Sequence, residues 1–383
     1  VHAMAPAPWT GQSVPSLLTG LFPDTVRADA WGSRLPEEVS TLAELTAAAG
    51  YRTLLWSRHP FYSYQKDLLR GFTEVHIERS GAADLLPAAD LLFSDSAPTF
   101  ALVHLIPPHA PYSPPPPFRG LLTSGYRGST PVEPRFLNRF PDRQDPRELS
   151  PDDLEYIKNR YLENAVFADS LIAKILDMAE ARGRYEGSLI GLVSDHGEAF
   201  LEHGHFLHGR KLYREFLHVP MILKWPANAF DPRPVIEEPV SLVDLVPTLV
   251  DGLALEPSNG FQGRSLLPLA LDEARHESPV YALTRGAPDR RNPPRPGFML
   301  LSDGWKIIQD PLAQSSALFH ISDDPGERQI LTAEEPLRAL LLRQSLLRQR
   351  SYNRSRFTGD KGGEPTVEMD EKTAAELQAL GYL

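Results

Sequence analysis

The sequence predicts an α/β fold, a mostly parallel sheet flanked by helices on both faces, followed by a small C-terminal antiparallel α+β subdomain. Three observations carry this. Short apolar runs, F-A-L-V-H-L-I (100–106), L-I-G-L-V (189–193) and V-P-M-I-L-K-W (219–225), have the length and continuity of buried strands. Helical patterns alternate with them, as in parallel sheets built from crossover connections. From about residue 275 the pattern changes to closely spaced strands, Y-A-L-T-R and F-M-L-L-S-D-G-W-K-I-I-Q, with D-G where a hairpin turn belongs. The expected division is therefore 1–275 for the larger part and 276–383 for the smaller.

Element by element, the first residues, V-H-A-M-A-P-A-P-W-T-G-Q-S-V-P-S, read as irregular, and S-L-L-T-G (16–20) reads as a short helix stopped by Gly20. L-A-E-L-T-A-A-A-G (42–50) is a helix closed by Gly50, and Y-R-T-L-L-W-S (51–57) is a strand. The apolar run at 100–106 is expected to be buried on both faces. The proline clusters at 107–117 and 291–296 read as loops. Ser150 supplies an N-cap, Pro151 the first helical position and Asp152 and Asp153 first-turn acids. They open a long helix to about Arg182, with Leu154, Ile157, Tyr161, Ala165, Ala168, Ile172 and Ile175 near helical spacing. V-S-L-V-D-L-V-P-T-L-V-D (240–251) reads as a helix with a proline in its first turns. S-A-L-F-H-I-S-D-D-P then leads to a polar helix.

A chain of 383 residues can bury a large core. A net charge of −11 with no basic run argues against a nucleic-acid partner. The absence of cysteine excludes a disulfide framework and any thiolate metal site. No apolar run reaches the length of a transmembrane helix, and no signal peptide is visible.

The densest chemistry lies in S-D-H-G-E-A-F-L-E-H-G-H-F-L-H-G (194–209), which directly follows the apolar run L-I-G-L-V. Open α/β sheets bind ligands at the carboxyl ends of their strands, so a metal or anion site is expected there rather than a solvated loop. Asp195 and His196 are adjacent, while Gly204 and Gly209 let the backbone turn tightly. Other histidines have blander readings. His104 lies in a strand and is as well explained by a hydrogen-bonded core position. His203 and His205 can stabilise the loop, Glu198 is a ligand or a helix-start acid, and His59, His218 and His320 read as structural.

Several segments together carry a resemblance. A-P-W-T-G-Q-S-V-P-S-L-L-T-G-L-F-P (7–23), H-L-I-P-P-H-A-P-Y-S-P-P (104–115) and L-V-S-D-H-G-E-A-F-L-E-H-G-H-F-L-H-G (192–209) resemble, in this order, sulfatase-like enzymes of the alkaline phosphatase superfamily. V-D-L-V-P-T-L (243–249), L-F-H-I-S-D-D-P-G-E (318–327) and the closing L-G-Y-L (380–383) are similar too. The resemblance implies an alkaline phosphatase-like fold and a metal-dependent hydrolase or transferase acting on phosphate or sulfate esters of a small molecule or headgroup. It places the nucleophile at Thr10, seven residues before Leu17 of L-L-T-G. Asp195 and His196 match a pair of metal ligands, and His109 and His208 match positions that contact the substrate anion or ester oxygens. The metal implied is divalent: zinc, manganese or calcium, among which oxygen and imidazole ligands do not choose. A periplasmic, extracytoplasmic or membrane-attached location is also implied.

The chemistry fits these residue types. A metal at Asp195 and His196 would favour the Thr10 alkoxide and polarise the ester, while His109 and His208 would serve the developing charge. By itself, without the motif, Thr10 reads more readily as a cap of the short helix that follows, and its register with L-L-T-G reverses that reading.

Two departures shape the expectation. Sulfatases proper carry a cysteine or serine within C/S-x-P-x-R that becomes formylglycine, whereas this chain has Thr10, Gln12 and Val14 in that motif. Threonine cannot give that aldehyde, and T-G-Q-S-V-P looks instead like the surroundings of the nucleophilic threonine in phosphoethanolamine transferases. The family also places metal-ligating aspartates upstream of the nucleophile, and V-H-A-M-A-P-A-P-W holds no carboxylate. The expectation is a chain lacking its first strand and first metal-ligand segment, with membrane association possible only through such a segment. The alternatives are a true sulfatase and a non-catalytic relative that binds an anion through His109 and His208. The loops at about 113–150 and 285–297, expected to meet the rest of a substrate, carry no recognisable code.

Overall fold

The computed structural model describes residues 2–27, 34–78, 90–93, 96–139, 149–257, 260–273, 278–285, 296–356 and 371–380. Most of the proline cluster at 291–296, much of the two substrate-facing loops expected above, and three residues of the closing L-G-Y-L lie outside the described residues. In chain order the elements are β1 (His2–Met4), α1 (Thr10–Thr19), α2 (Leu42–Ala48), β2 (Arg52–Ser57), α3 (Phe61–Tyr64), β3 (Glu74–Ile77), β4 (Thr99–His104), α4 (Pro134–Leu137) and α5 (Pro151–Ala181). Next come β5 (Ile190–Val193), β6 (Ala199–Phe200), β7 (Phe206–Leu207), α6 (Arg214–Leu217), β8 (His218–Val219), β9 (Met221–Lys224), β10 (Pro239–Ser241), α7 (Leu245–Gly252) and α8 (Leu267–Ala270). The chain continues with β11 (Val280–Thr284), β12 (Gly297–Ser302), β13 (Trp305–Asp310), β14 (Ser315–His320), α9 (Pro336–Ser355) and α10 (Glu371–Ala379).

Two compact units contain these elements, each built from separated stretches of chain. The first comprises Val1–Ala49, Ser188–Gly197 and His208–Val367. In it β1 lies between β10, to which it is parallel, and β8, to which it is antiparallel. Ala3, Met4, Val219 and Val240 bury the three strands. The opening residues are thus not irregular: they form a strand, and the helix that follows starts at Thr10, six residues before the expected position. Gly20 ends it as foreseen, at φ 68, with its N–H on the Ser16 carbonyl at 2.9 Å. The segment 240–251 is also more finely divided than one helix. Ser241 ends β10 and caps a 3₁₀ turn through Asp244, and only then does α7 begin.

The rest of this unit is the expected antiparallel sheet, in the order β11-β12-β13-β14. Asp303 and Gly304 both adopt positive φ, 51 and 75, which is the backbone a two-residue hairpin of the primed type requires. Tyr281, Leu283, Phe298, Leu300, Ile307 and Leu318 face α9, whose Ala339, Leu342 and Leu346 close the cluster. β11 and the middle of β12 are buried at successive residues, so both of their faces are covered.

The second unit comprises Gly50–Gly187, Glu198–Leu207 and Glu368–Leu383. Its three-stranded sheet, β3-β2-β4, is parallel throughout. β4 pairs with β2 alone among the described strands and is half-buried along its whole length, not buried on both faces as its apolar run suggests. α5 opens with a capping box in which Ser150 and Asp153 each hold the other's backbone N–H, as its first turn predicts. Its inward face includes Ile157, Phe167 and Leu171, and also a buried ion pair, Arg160–Glu163, at 2.7 Å. Glu163 additionally accepts from the Leu122 and Thr123 amides and the Thr123 hydroxyl, so that its charge is satisfied inside the unit.

The alkaline phosphatase-like α/β class with a C-terminal antiparallel sheet is therefore the architecture of this chain.

Candidate active site

Four of the five expected site residues, Thr10, Asp195, His196 and His208, belong to the first unit, and they come together there. Thr10 is the first residue of α1, and Trp9 is the extended residue before it, at φ −159 and ψ 154. Trp9 has no side chain able to cap, and Thr10 does not cap either, which answers the helix-cap reading. The Gln12 and Ser13 amides both reach back to the Trp9 carbonyl, at 3.2 and 3.1 Å. A β-carbon on Gly11 would fall 2.2 Å from the Trp9 ring, so the ring lies flat against this turn only because Gly11 has no side chain. The Thr10 hydroxyl is left facing His196, with Oγ1 3.3 Å from Nε2, in a site where Thr10 is only 3% exposed.

The turn after β5 is held from two sides. Ser194 Oγ donates to the His196 carbonyl at 2.7 Å, and the Gly197 amide donates to the Phe216 carbonyl at 2.8 Å. A β-carbon at Gly197 would stand 2.2 Å from the Glu215 carbonyl oxygen, so glycine is what lets the turn lie against the backbone of α6.

The imidazole of His196 is oriented by its Nδ1, 2.8 Å from the Gly197 carbonyl. A carbonyl only accepts, so Nδ1 carries the proton and Nε2 of the neutral ring holds a lone pair. That lone pair faces the Thr10 hydroxyl, which donates to it. Asp195 Oδ2 lies 3.7 Å from the same Nε2, too far for a hydrogen bond.

His208 stacks on His196, ring centres 4.1 Å apart and 29° from parallel. Burial pushes the His208 imidazole well below its ordinary range, and the neighbouring His196 adds to this while Asp195 opposes it. In this state His208 is a neutral ring at pH 7. It offers a hydrogen bond, and the positive charge expected of it is not present before a ligand arrives.

His109 belongs to the second unit. There Asn164 of α5 holds its carbonyl at 3.2 Å and the Pro108 carbonyl at 3.3 Å, and His109 Nδ1 donates to the Ala110 carbonyl at 2.6 Å. Its Nε2 is thereby the acceptor of the neutral ring. His203 and His205 sit in the β6–β7 hairpin, where the His205 carbonyl accepts from Leu201 at 2.8 Å. Glu198 lies among aromatic rings: burial, with the Glu198 charge, raises Tyr112 well above its ordinary range and pushes Tyr161 up to about 12. His104 is half-buried, with Nδ1 3.0 Å from the Tyr62 hydroxyl and its ring stacked on His59. His59 accepts from the Phe61 amide, and His320 pairs with Asp323 at 2.7 Å.

Sequence reading missed two neighbours of Thr10. Gln12 and Ser13 are fully buried, and among the described residues neither the Gln12 amide group nor the Ser13 hydroxyl has a hydrogen-bond partner. Ser13 lies three residues from Thr10 and so on the same helix face. The only signal in the sequence was that two polar residues follow the candidate nucleophile within a stretch of small and apolar ones.

The family model described as Sulfatase matches residues 2–254, about two-thirds of the chain, and one described as N-sulphoglucosamine sulphohydrolase, C-terminal, matches residues 201–351. The chain belongs to the sulfatase family. Among its relatives, arylsulfatase K of Gallus gallus is 27% identical over 197 residues, which is 47% of this chain and 34% of that protein. The low-salt glycan biosynthesis sulfotransferase Agl7 of Haloferax volcanii is 27% identical over 268 residues, 67% of this chain and 55% of that protein. The chain thus spans a third to about half of the length of these curated relatives. Among solved structures, a phosphonate monoester hydrolase from Silicibacter pomeroyi shares the fold at a TM-score of 0.74 and 19% identity, covering 92% of this chain and 88% of its own. Another, described in complex with its substrate D-glucosamine-2-N,6-O-disulfate, gives a TM-score of 0.73 at 17% identity, covering 94% and 91%.

Sulfatase-family members generally use a divalent metal ion. In this member the Asp195–His196 pair fits one. Nδ1 of His196 is committed to a backbone carbonyl, the usual outer hydrogen bond of a metal-ligating imidazole. Nε2 and Asp195 Oδ2 are two electron-rich atoms 3.7 Å apart, an arrangement that a cation relieves. Among the described residues no group of three or more His, Asp or Glu side chains is placed to hold a metal. The pair is therefore one part of a ligand set, since catalytic sites for zinc use three protein ligands.

Proposed function

We propose that this sulfatase-family chain is an ester hydrolase or transferase in which Thr10 is the nucleophile and forms a covalent intermediate. The observation that carries the reading is the 3.3 Å contact of Thr10 Oγ1 with His196 Nε2, the lone pair of a ring whose other nitrogen is already committed. A buried hydroxyl aimed at a basic nitrogen is the elementary unit of an activated nucleophile. Thr10 and His196 are both buried, which strengthens the electrostatic contact between them.

In the first half-reaction Thr10 Oγ1 attacks the phosphorus or sulfur of the ester. The bond to the leaving oxygen breaks, and the Thr10 proton, taken up at His196 Nε2, passes to that oxygen, which departs as the alcohol. In the second half-reaction water or an acceptor hydroxyl gives its proton to His196 Nε2 and attacks the threonyl ester, which makes the chain a hydrolase or a transferase respectively. That proton returns to Thr10 Oγ1 as the ester bond breaks. A divalent cation bound by Asp195 and His196 would use the same Nε2 lone pair, and would supply in its place the positive charge that favours the alkoxide and polarises the ester. His208, against His196, is proposed as a hydrogen-bonding group for the non-bridging oxygens, and the anion-contacting role that the resemblance implies for His109 is a separate proposal. The division into a catalytic part, 1–275, and a subdomain, 276–383, is a proposal supported by the one sheet that the consecutive strands β11-β12-β13-β14 form.

Because threonine cannot become formylglycine, phosphoryl esters are proposed as better substrates than sulfate esters. Paired assays on an aryl sulfate, an aryl phosphate monoester and an aryl phosphodiester test this. A clear preference for the sulfate would overturn it.

A further inference from the structure

The short helix α6 is hydrogen-bonded to both of the segments that carry the proposed catalytic pair. The Phe216 carbonyl holds the Gly197 amide at 2.8 Å, directly after His196. The next carbonyl, of Leu217, holds the Ala5 amide at 2.8 Å, on the stretch that runs from β1 to Thr10. Immediately beyond, His218 pairs with Met4 as β8 joins β1. One short helix therefore bridges the segments that carry the nucleophile and the imidazole. A helix of one turn has no stability of its own, so its position must be imposed from its ends.

The far end of α6 is held by a side chain. The Arg214 amide, at the first helical position, donates to Glu327 Oε2 at 3.0 Å. The other oxygen, Oε1, accepts from Lys306 Nζ at 2.6 Å, and both side chains are within 1% of complete burial. Glu327 closes the motif L-F-H-I-S-D-D-P-G-E, and its own backbone sits at φ 54, a conformation that non-glycine residues avoid. Its loop is tied to β14 by the Asp324 amide on the His320 carbonyl at 2.9 Å and by the Glu327 amide on the Asp324 carbonyl at 3.1 Å. Burying an ion pair costs desolvation, and apolar residues often stabilise as well or better, so stability alone does not explain the pair.

We propose that Glu327, held by Lys306, is a positioning residue: through the Arg214 amide and α6 it fixes the distance between Thr10 and His196. The proposal rests on the reading of Thr10 and His196 as the reacting pair, and its test separates the two. Arg214→Pro deletes the N–H that Glu327 accepts and leaves the buried pair untouched. Proline is tolerated at the first helical position, and Tyr213 before it already holds φ −72 and ψ 168, the extended backbone that precedes proline. Arg214→Ala removes the side chain and keeps the N–H. Lys306→Met with Glu327→Gln removes both charges and keeps an acceptor.

The measurement is amide hydrogen exchange at Gly197 and Ala5, with kcat and KM on an aryl phosphoester. Arg214→Pro should exchange at least tenfold faster at Gly197 and Ala5, with β12 and β13 unchanged, and lower kcat at least tenfold with KM within about twofold. Arg214→Ala and the Lys306→Met/Glu327→Gln pair should match the wild type in exchange. Unchanged exchange in Arg214→Pro, or equal acceleration in Arg214→Ala, overturns the proposal. If the wild-type protein turns over none of the esters, the reading of the site fails, and the exchange rates still decide the positioning role.

Discussion

Gly197→Ala is the sharpest perturbation of the proposed site that leaves every reacting group in place. The added carbon would lie 2.2 Å from the Glu215 carbonyl oxygen, 3.0 Å from its carbon and 3.1 Å from the Phe216 carbon. All three are backbone atoms of a helix pinned at both ends, so no side chain can swing aside. To restore ordinary contact near 3.5 Å the turn must retreat by roughly 1 Å. That overpacking costs about 1–3 kcal/mol. The Gly197–Phe216 hydrogen bond, lost or stretched, adds about 0.5–1.5 kcal/mol. The expected loss is about 2–4 kcal/mol in unfolding free energy, measured by urea titration. A shift of about 1 Å in His196 should also lower kcat by on the order of a hundredfold, at a temperature where the variant is still folded. A loss under 1 kcal/mol with kcat within twofold of wild type would refute the account of this turn.

Gln12→Leu should raise the unfolding midpoint, since it replaces a fully buried amide with no partner by an apolar group of similar size, an exchange expected to gain about 1 kcal/mol. A fall of that size instead would show that the amide is satisfied. Asp195→Ala should reduce the divalent metal retained by the protein, measured by elemental analysis after dialysis, and equal content in both proteins would contradict its role as a ligand. Asp153 is held below its usual range by the Thr130 hydroxyl, at 2.6 Å, and then by Tyr126 and Ser150. Its stabilising effect is fully present above the unfolded carboxylate value of about 3.9 and is lost as pH falls through the depressed folded value. Between pH 5 and 2, Asp153→Asn should therefore lose less stability than the wild type, and parallel losses would contradict this.

The parts of the fold that could be read in the sequence are those whose signals are local. Ser150-Pro151-Asp152-Asp153 announces α5 because capping is decided within one turn, and Asp303-Gly304 announces its hairpin because only a few residue types accept two positive φ angles. The start of α1 was hidden because Trp9 is not a capping residue and Pro15 stands inside the helix. What makes that start possible is the Trp9 ring against Gly11, a packing that no spacing rule encodes. In V-S-L-V-D-L-V-P, the Ser241–Asp244 box lies inside one apolar run, so a strand end and a helix start look continuous. The adjacency of Asp195 and His196 could be read directly, and the fold brings the pair beside Thr10. The orientation of His196, by contrast, depends on Gly197 and on carbonyls of a four-residue helix that is too short to show periodicity.

The central claim is that the Thr10 oxygen becomes covalently bonded to the group it transfers. Its most direct test is to quench the enzyme during turnover of an activated aryl phosphoester and read the mass of the peptide that carries Thr10. The account expects one added phosphoryl group on Thr10 in the wild type, none in Thr10→Ala with turnover abolished, and part of the activity retained in Thr10→Ser. Folding should hardly change in Thr10→Ala, since Thr10 is not the N-cap of α1 and its hydrogen bond to His196, at 3.3 Å, is long. Undiminished turnover in Thr10→Ala, or the added mass on another residue, would contradict the account.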